Sequence, residues 1–331
     1  MDFALTEEER AIRDAARDFA AERLAPDAAA LDLGEGRETH LANLRELAGL
    51  GFMALCADPA CGGAGATAVA YALAIEEIAA ACASTATTVS VTNLAAAVIS
   101  ARGTPAQKAE HVAKIASGEH LAAAFCLTES EAGSDPAAMR MAARRDGDAF
   151  VLDGEKLFIT SAPIAGVFVT FAKTDPAAPR GKGISCLLVD VRTPGVIVGR
   201  PENKMGQRGS ETATVRFEGA RVHESALIGA EHDGFRIAVG ELAGGRIGIA
   251  ALSIGVARRA TELARGYMLE RKQFGSRLAD MQGLQWALAD RLVEIEAARL
   301  LTLDAAAKKD RGEPYAVAAS MAKLFASEMA G

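Results

Sequence analysis

Apolar positions recur at helical spacing from the start of the chain. Thr6 and Glu9 are spaced as in a capping box, a reciprocal pair of side-chain-to-backbone hydrogen bonds that starts a helix. Apolar residues then recur at helical spacing until Pro26, at Ile12, Ala15, Phe19 and Leu24. The pattern predicts an N-terminal helix.

Two alanine-rich stretches, residues 68–83 and 85–101, are apolar nearly all round. A helix without a polar face is normally buried between other helices. Thr104 and Pro105 then match an N-cap followed by proline at the first helical position. Residues 1–118 are therefore predicted to form an all-α domain.

The periodicity changes near residue 119. Residues 119–228 hold short β-rich runs, and we expect turns at Asp153-Gly154 and at Thr193-Pro194-Gly195 between them. The predicted strands are 121–127, 150–152, 157–160, 167–172, 184–191, 196–198 and 212–217. Helical patterns return within residues 229–331, at 233–269, 277–309 and 314–330.

The predicted strands lie in one block and do not alternate with helices, which disfavours a doubly wound parallel sheet. We therefore predict an α+β chain. It has an N-terminal all-α domain, a middle antiparallel β-barrel-like domain and a C-terminal α-helical bundle.

Composition narrows the classes of function. Half of the 331 residues are hydrophobic and 24% are charged, so a large core can form. The net charge of −7 argues against a nucleic-acid partner. The five histidines show no i, i+4 pair and the five cysteines form no Cys-x-x-Cys pair, so no metal site is expected.

The sequence also suggests a location. From the sequence alone we expect no apolar run as long as a membrane span, and therefore no membrane association. The first residues lack the features of a signal peptide. We expect a cytoplasmic protein, or a mitochondrial-matrix protein if a presequence was removed.

The first segment that carries chemistry is residues 126–135, with the sequence CLTESEAGSD. A loop of small and hydroxyl-bearing residues presents backbone N–H groups and short donors to a polar ligand. The segment resembles the signature of the acyl-CoA dehydrogenase family, in which this loop lies against FAD and the thioester substrate. The resemblance implies FAD contacts from Phe125, Cys126, Leu127, Thr128, Gly133 and Ser134, and a substrate contact from Ser134.

Residues 156–160, KLFIT, resemble the second flavin segment of that family, usually Trp-Ile-Thr. The resemblance implies that Phe158 packs near the isoalloxazine ring of FAD and that Ile159 belongs to the same contact. It also implies that the Thr160 hydroxyl lies near N5, the atom that receives hydride. Without the resemblance, the same residues would indicate a plain buried strand.

Residues 242–250, LAGGRIGIA, resemble the start of the helix that lines the acyl-CoA channel in the family. The resemblance implies substrate contacts from Ala243, Gly244, Gly245 and Arg246. Arg246 matches an arginine that contacts CoA, a role suited to its fixed fork of donors. Ala243 stands where several relatives carry Asp or Asn, so one polar contact to CoA is expected to be absent.

Residues 271–275, RKQFG, match a segment whose arginine reaches the FAD pyrophosphate across a subunit interface. The resemblance implies cofactor contacts from Arg271 and from Gln282, and a homotetramer.

The reaction implied is α,β-desaturation of an acyl-CoA thioester, in which a carboxylate removes the α-proton while the β-hydrogen leaves as hydride. In most relatives this glutamate lies in a Tyr-Glu-Gly-Thr-like segment, which the chain does not contain. In others it directly precedes the arginine that matches Arg246, and Gly245 holds that position here. Glu241 is four residues too early. The catalytic base is therefore unknown, and we expect it beyond Gly331, which would leave this 331-residue form inactive.

Further short segments, such as residues 182–186 and 321–326, resemble those of isobutyryl-CoA and other short-chain acyl-CoA dehydrogenases. A short-chain or branched-chain acyl-CoA and an electron-transfer flavoprotein are the expected partners. Two alternatives remain open. One is a flavin oxidase or monooxygenase on the same scaffold. The other is a catalytically silent subunit that binds flavin and CoA.

Overall fold

The computed structural model describes residues 4–331, which fall into two compact units. We name them the helical unit, formed by residues 4–28, 67–87 and 243–331, and the sheet unit, formed by residues 29–66 and 88–242. Each unit combines stretches that are distant in sequence. The division into domains at 1–118, 119–228 and 229–331 stays a prediction.

The helices and strands confirm the predicted fold class, with helical N- and C-terminal parts and a central β region. The helices are α1 (Glu7–Phe19), α2 (Ala28–Asp32), α3 (Arg37–Gly49), α4 (Ala68–Ala81), α5 (Ala83–Arg102), α6 (Pro105–Gln107), α7 (Ala113–Ala116), α8 (Gly234–Glu270), α9 (Gln282–Asp310) and α10 (Ala316–Ala330). The strands are β1 (Ala122–Cys126), β2 (Ala142–Asp146), β3 (Ala149–Thr160), β4 (Ala165–Lys173), β5 (Ile184–Asp190), β6 (Val196–Pro201), β7 (Thr212–His223), β8 (Leu227–Ile228), β9 (Lys272–Gln273) and β10 (Ser276–Arg277).

The predicted capping box starts α1. The Glu9 N–H donates to Thr6 Oγ1 at 3.1 Å, and the Thr6 N–H donates to Glu9 Oε2 at 2.8 Å. A second capping box joins Thr104 and Gln107 at the start of α6, with Pro105 at the first helical position. Both helix starts are therefore confirmed.

The main sheet has the strand order β6-β7-β3-β2-β4-β5-β8, and β1 pairs with β4. Most pairs are antiparallel, but β1 is parallel to β4, with Phe125 opposite Val169. The sheet is thus mixed, whereas we expected an antiparallel one. Parallel partners need a long connection, and here β2 and β3 form it.

The turn expected at Asp153-Gly154 is wrong, because β3 continues through these residues. The pairing of β3 with β7 shifts register between Leu152 and Asp153, which marks a β-bulge. Gly154 has φ 142°, and a Cβ there would lie 2.8 Å from Met141 Cγ. The Asp-Gly pair therefore marks a bulge with a close approach inside one long strand.

Buried acidic residues on α4 tie the helical unit together. Glu76 and Glu77 are almost fully buried. Glu77 accepts hydrogen bonds from Arg17 at 2.9 Å and Arg258 at 2.6 Å, and Glu76 accepts two from Arg299 at 2.7 and 3.1 Å. Burial alone would raise the pKa of Glu77, but the arginine hydrogen bonds outweigh it and lower that pKa. These ion pairs join α4 to α1, α8 and α9.

A glycine on α8 allows close packing against α4. A Cβ at Gly255 would lie 2.2 Å from the carbonyl oxygen of Glu76 and 2.9 Å from the Ala79 side chain. No other residue type fits at that separation without moving a helix. The crossing of α4 and α8 therefore depends on Gly255.

By length and composition, α8 (Gly234–Glu270) could cross a membrane, contrary to the expectation from the sequence. However, 56% of its most apolar window is buried within the structure. Core helices are buried in this way, and they too can be long and apolar enough to cross a membrane.

The N-terminus of α4 receives a carboxylate from α9. Asp310 accepts hydrogen bonds from the backbone N–H groups of Ala68 at 2.6 Å and Val69 at 3.1 Å. Thr67 caps the same turn by accepting from the Ala70 N–H at 3.0 Å. A negative charge here satisfies two free donors and opposes the positive end of the helix dipole.

We expect Asp310→Ala to lower the free energy of unfolding by about 1–2 kcal/mol, because it removes a charged cap. Asp304→Ala is the matched control, since Asp304 lies on the same helix and forms a half-buried pair with Lys308. Its loss should be about 0.5 kcal/mol or less. Urea unfolding measures both, and equal losses would contradict the capping role.

A histidine in the sheet unit makes folding sensitive to acid. His40 on α3 is 5% exposed, and burial lowers its pKa to about 4, against the partial opposition of the Glu211 carboxylate. The unfolded chain should protonate this ring near pH 6.5. Because the folded pKa is the lower one, stability is complete above pH 6.5 and falls as the pH drops towards 4.

Between pH 6.5 and pH 4, the unsubstituted chain should lose roughly 3 kcal/mol more of its unfolding free energy than the His40→Gln variant does. The quantity compared is the slope of the unfolding free energy against pH. A loss of stability that is equal at every pH does not affect this slope. An unchanged slope in His40→Gln would refute this role.

Candidate functional site

The two predicted flavin segments meet in the sheet unit, where β1 ends and β3 ends. The Leu157 N–H donates to the Thr128 carbonyl at 2.9 Å. Just beyond, Glu129 and Ala132 exchange two backbone hydrogen bonds at 3.1 and 3.2 Å. The loop after β1 is therefore a fixed turn joined to the end of β3.

Several of the predicted contacts have buried side chains. Cys126, Leu127 and Ile159 lie in the core, so contact with a ligand would involve their backbone atoms. Phe125 packs against Phe171 with ring centroids 4.8 Å apart. Burial raises the pKa of the Cys126 thiol to about 12, which keeps it protonated and unreactive.

Other predicted contacts are open to a ligand. The hydroxyls of Thr128, Ser134 and Thr160 form no side-chain hydrogen bond with any described residue. A Cβ placed at Gly133 would meet no atom of the described chain within 4 Å. Free hydroxyls beside open backbone form a donor set that fits the polar edge of a flavin.

Phe158 is held in a strained and exposed position. Its φ of 56° lies in the left-handed region, and its side chain is 64% exposed. Ser161 is also left-handed, with φ 66°, and is fully buried. Each such residue costs about 1–3 kcal/mol and persists where the surroundings enforce it. Core packing does not explain an exposed aromatic on strained backbone.

A buried ion pair connects the two segments, and sequence analysis missed it. Lys156 is fully buried, and its Nζ donates to Glu129 Oε1 at 2.6 Å and to the Leu127 carbonyl at 3.0 Å. Glu129 also accepts from the backbone N–H groups of Arg140 at 2.6 Å and Met141 at 3.1 Å. Burial lowers the pKa of Lys156, while the Glu129 carboxylate opposes that shift. The sequence did contain one sign of it, because the lysine occupies a position of β3 that alternates with apolar residues.

The predicted substrate segment lies on α8, in the helical unit. Ala243 is buried, whereas a Cβ at Gly244 would lie 3.1 Å from Lys309 Nζ and 3.7 Å from the Tyr315 hydroxyl oxygen. These two polar side chains lie beside Gly244, the residue that follows Ala243. Sequence analysis did not identify Lys309 and Tyr315, because they come from α9 and from the loop before α10.

Arg246 is exposed on α8, and its Nη1 donates to Ser320 Oγ at 3.0 Å. The four other guanidinium N–H groups leave this side chain able to bind an anionic ligand. Gly245, directly before it, brings no carboxylate to this position.

Arg271 and Gln282 are exposed on either side of the β9–β10 hairpin. Within residues 4–331, neither side chain forms a hydrogen bond or ion pair. Phe274, at the tip of the hairpin, is almost fully exposed at a φ of 52°. Such groups can bind a ligand phosphate or a second copy of the chain.

The structure thus brings 126–129 together with 157–160 in the sheet unit. It places Ala243, Gly244, Gly245, Arg246, Arg271 and Gln282 in the helical unit. The binding roles of these residues stay predictions.

Comparison with known proteins gives consistent matches along the chain. Residues 6–119, 124–220 and 232–331 match the N-terminal, middle and C-terminal domains of acyl-CoA dehydrogenase. A short-chain specific acyl-CoA dehydrogenase of Clostridium acetobutylicum is 40% identical over 331 residues, which is 100% of this chain and 86% of that protein.

Two further proteins are similar. The mitochondrial short/branched chain specific acyl-CoA dehydrogenase of Bos taurus is 42% identical over 327 residues, 98% of this chain and 74% of that protein. The structure of butyryl-CoA dehydrogenase from Megasphaera elsdenii matches with a TM-score of 0.94 at 35% identity, covering 99% of this chain and 86% of the other.

Phe158→Asn tests whether the strained aromatic serves a ligand. Asparagine adopts the left-handed region more readily, so the free energy of unfolding should stay unchanged or rise by about 1 kcal/mol. FAD affinity of the FAD-free chain should fall roughly tenfold, because an aromatic contact is lost. Leu33→Asn, at a residue that is 75% exposed, should change neither quantity. Unaltered FAD affinity in Phe158→Asn would contradict the assignment.

Proposed function

The chain belongs to the acyl-CoA dehydrogenase family, and from this premise we propose that it converts a short-chain or branched-chain acyl-CoA to the trans-2-enoyl-CoA. FAD is the cofactor of the family, and when bound it accepts the β-hydrogen of the substrate as hydride. Electrons then go to an electron-transfer flavoprotein. The observation that carries the proposal is the joined pair of flavin segments, whose hydroxyls have no partner among residues 4–331.

The side chains that would hold FAD fall into two groups. Thr128, Ser134 and Thr160 offer hydroxyl donors, and Phe158 offers an exposed aromatic face. Arg271 carries a permanent positive charge with a planar fork of donors, which suits a pyrophosphate. The first group fits the ring system of a flavin dinucleotide. Arg271, which by the family resemblance reaches the cofactor from a second copy of the chain, fits its phosphates.

A short acyl group is supported by the relatives, whose names specify short-chain and short/branched-chain substrates. On the CoA side, Arg246 supplies the cationic fork. Lys309 and Tyr315, close to Gly244, supply polar groups where Ala243 has none. We propose that these two residues take over the contact that Asp or Asn makes in relatives.

Assembly is part of the proposal. Along α9, Leu284, Trp286, Leu292 and Val293 are exposed to between 39% and 70%. Apolar side chains along one helix indicate a covered surface in the working protein. A homotetramer, as the family resemblance implies, would cover them. A cytoplasmic location is proposed with it.

No residue of the chain is assigned as the catalytic base. Gly245 occupies one family location for the glutamate, and the other, a Tyr-Glu-Gly-Thr-like segment, does not occur within the 331 residues. We propose that neither family position supplies the base in this chain. Supplying a carboxylate at position 245 therefore tests the reaction on this chain directly.

The test is an anaerobic titration of the FAD-loaded chain with butyryl-CoA and isobutyryl-CoA, followed by flavin absorbance. The unsubstituted chain should bind FAD and shift its spectrum with either thioester, yet stay oxidised. Gly245→Glu should bleach the flavin at least about a hundredfold faster, because a positioned base contributes that much. Gly245→Gln is the control of equal size and should stay oxidised.

Each other outcome is informative. Absence of FAD binding would refute the proposed function. Bleaching of the unsubstituted chain would show that another of its own residues acts as the base. A Gly245→Glu variant that binds thioester without bleaching would favour the catalytically silent subunit, and rapid reoxidation of its reduced flavin by oxygen would favour an oxidase.

A further inference from the structure

The Lys156–Glu129 pair is unusual because the surrounding core does not need it. On the same face of β3, Phe150, Leu152 and Ile159 are buried apolar residues. Taking an ammonium and a carboxylate out of water costs several kcal/mol per ion, and close pairing roughly offsets that loss. Apolar residues of similar volume would stabilise the sheet unit as well or better. Stability alone does not explain the pair.

The position of the Lys156–Glu129 pair on the two flavin segments explains why it is present. Lys156 Nζ donates to the Leu127 carbonyl and to Glu129 Oε1, the residues on either side of Thr128. The Leu157 N–H adds a third bond at the Thr128 carbonyl itself. Three hydrogen bonds from consecutive residues of β3 thus hold three consecutive residues of the loop.

The same pair adjoins the strained end of β3. The pairing of β3 with β7 shifts register between Lys156 and Ile159, and Phe158 lies inside that interval with a positive φ. On the far side, the Ser161 N–H donates to the Glu211 carbonyl at 2.7 Å. A strained residue persists where the structure fixes both of its flanks. Lys156 is the fixed point on one side.

Glu129 extends the connection to a third stretch of chain. Both of its carboxylate oxygens accept backbone N–H groups, from Arg140 and Met141, before β2 begins. A carboxylate with this many donors has no freedom to rotate. The pair is therefore rigid at its acidic end as well.

We propose that the buried Lys156–Glu129 pair is the positioning device of the flavin site, fixing Thr128 against Phe158 and Thr160 so that they meet the ring in one orientation. The inference rests on the proposed binding of FAD. Neither side chain needs to touch the cofactor, since both act through the residues between them.

The experiment compares Lys156→Met, Glu129→Gln and the double variant with the unsubstituted chain. Three quantities are measured: the free energy of unfolding without FAD, the Kd for FAD, and the visible circular dichroism of bound flavin at saturation. Val189→Ala is the control, because Val189 is fully buried on β5 outside both segments. It should lose stability while FAD affinity and dichroism stay unchanged.

The single variants should bind FAD roughly ten- to a hundredfold more weakly and alter the dichroism, as loosened supporting residues do at other sites. In the double variant neither charge is left unpaired, so stability should return towards that of the unsubstituted chain. Its FAD affinity and dichroism should stay impaired. This separation of stability from flavin geometry is the expected result.

Recovery of unaltered FAD affinity and dichroism in the double variant would overturn the proposal, and so would single variants that behave like Val189→Ala. Amide hydrogen exchange of the FAD-free chains adds an independent measure. Faster exchange at 127–130 and 157–161 is expected in the variants and not in the control. If the unsubstituted chain bound no FAD, the proposed function and the positioning role would both fail, while exchange would still report the connection between the segments.

Discussion

Burial of one ammonium group sets the structure of the sheet unit around its candidate site. Lys156 is out of contact with water, so its donors must find acceptors within the protein. It finds them on the loop after β1, at Leu127 and Glu129. The loop cannot move away from β3 without leaving a buried charge unpaired. A requirement of electrostatics thus becomes a restriction on geometry.

The helical unit meets a similar requirement in a different way. There the buried groups are the carboxylates of Glu76 and Glu77, and their arginine partners remain partly in water. Partly hydrated partners make the pairing less demanding, because each guanidinium keeps other donors in solvent. The result is a set of adjustable links between helices, whereas Lys156 forms a rigid link between β3 and the loop after β1.

Sequence predicted what is local and missed what depends on distant partners. The capping box of Thr6 and Glu9 lies within one helical turn, so its spacing was sufficient. Asp153-Gly154 was read as a turn because the same dipeptide serves turns and bulges, and the paired strand decides between them. The pairing of Lys156 with Glu129 spans 27 residues, and no periodicity encodes it. The open hydroxyls were predicted by motif, but their freedom from other partners was visible in the structure alone.

Two glycines imply opposite patterns of mutational tolerance. At Gly255 an added methyl group would collide with the Glu76 carbonyl, so the fold itself excludes every larger side chain. At Gly133 the described chain leaves space for an added methyl group, so the fold tolerates alanine there. Selection on Gly133 can therefore come from a bound molecule, while selection on Gly255 comes from folding. A census of natural variants at the two positions would separate the history of the ligand from the history of the scaffold.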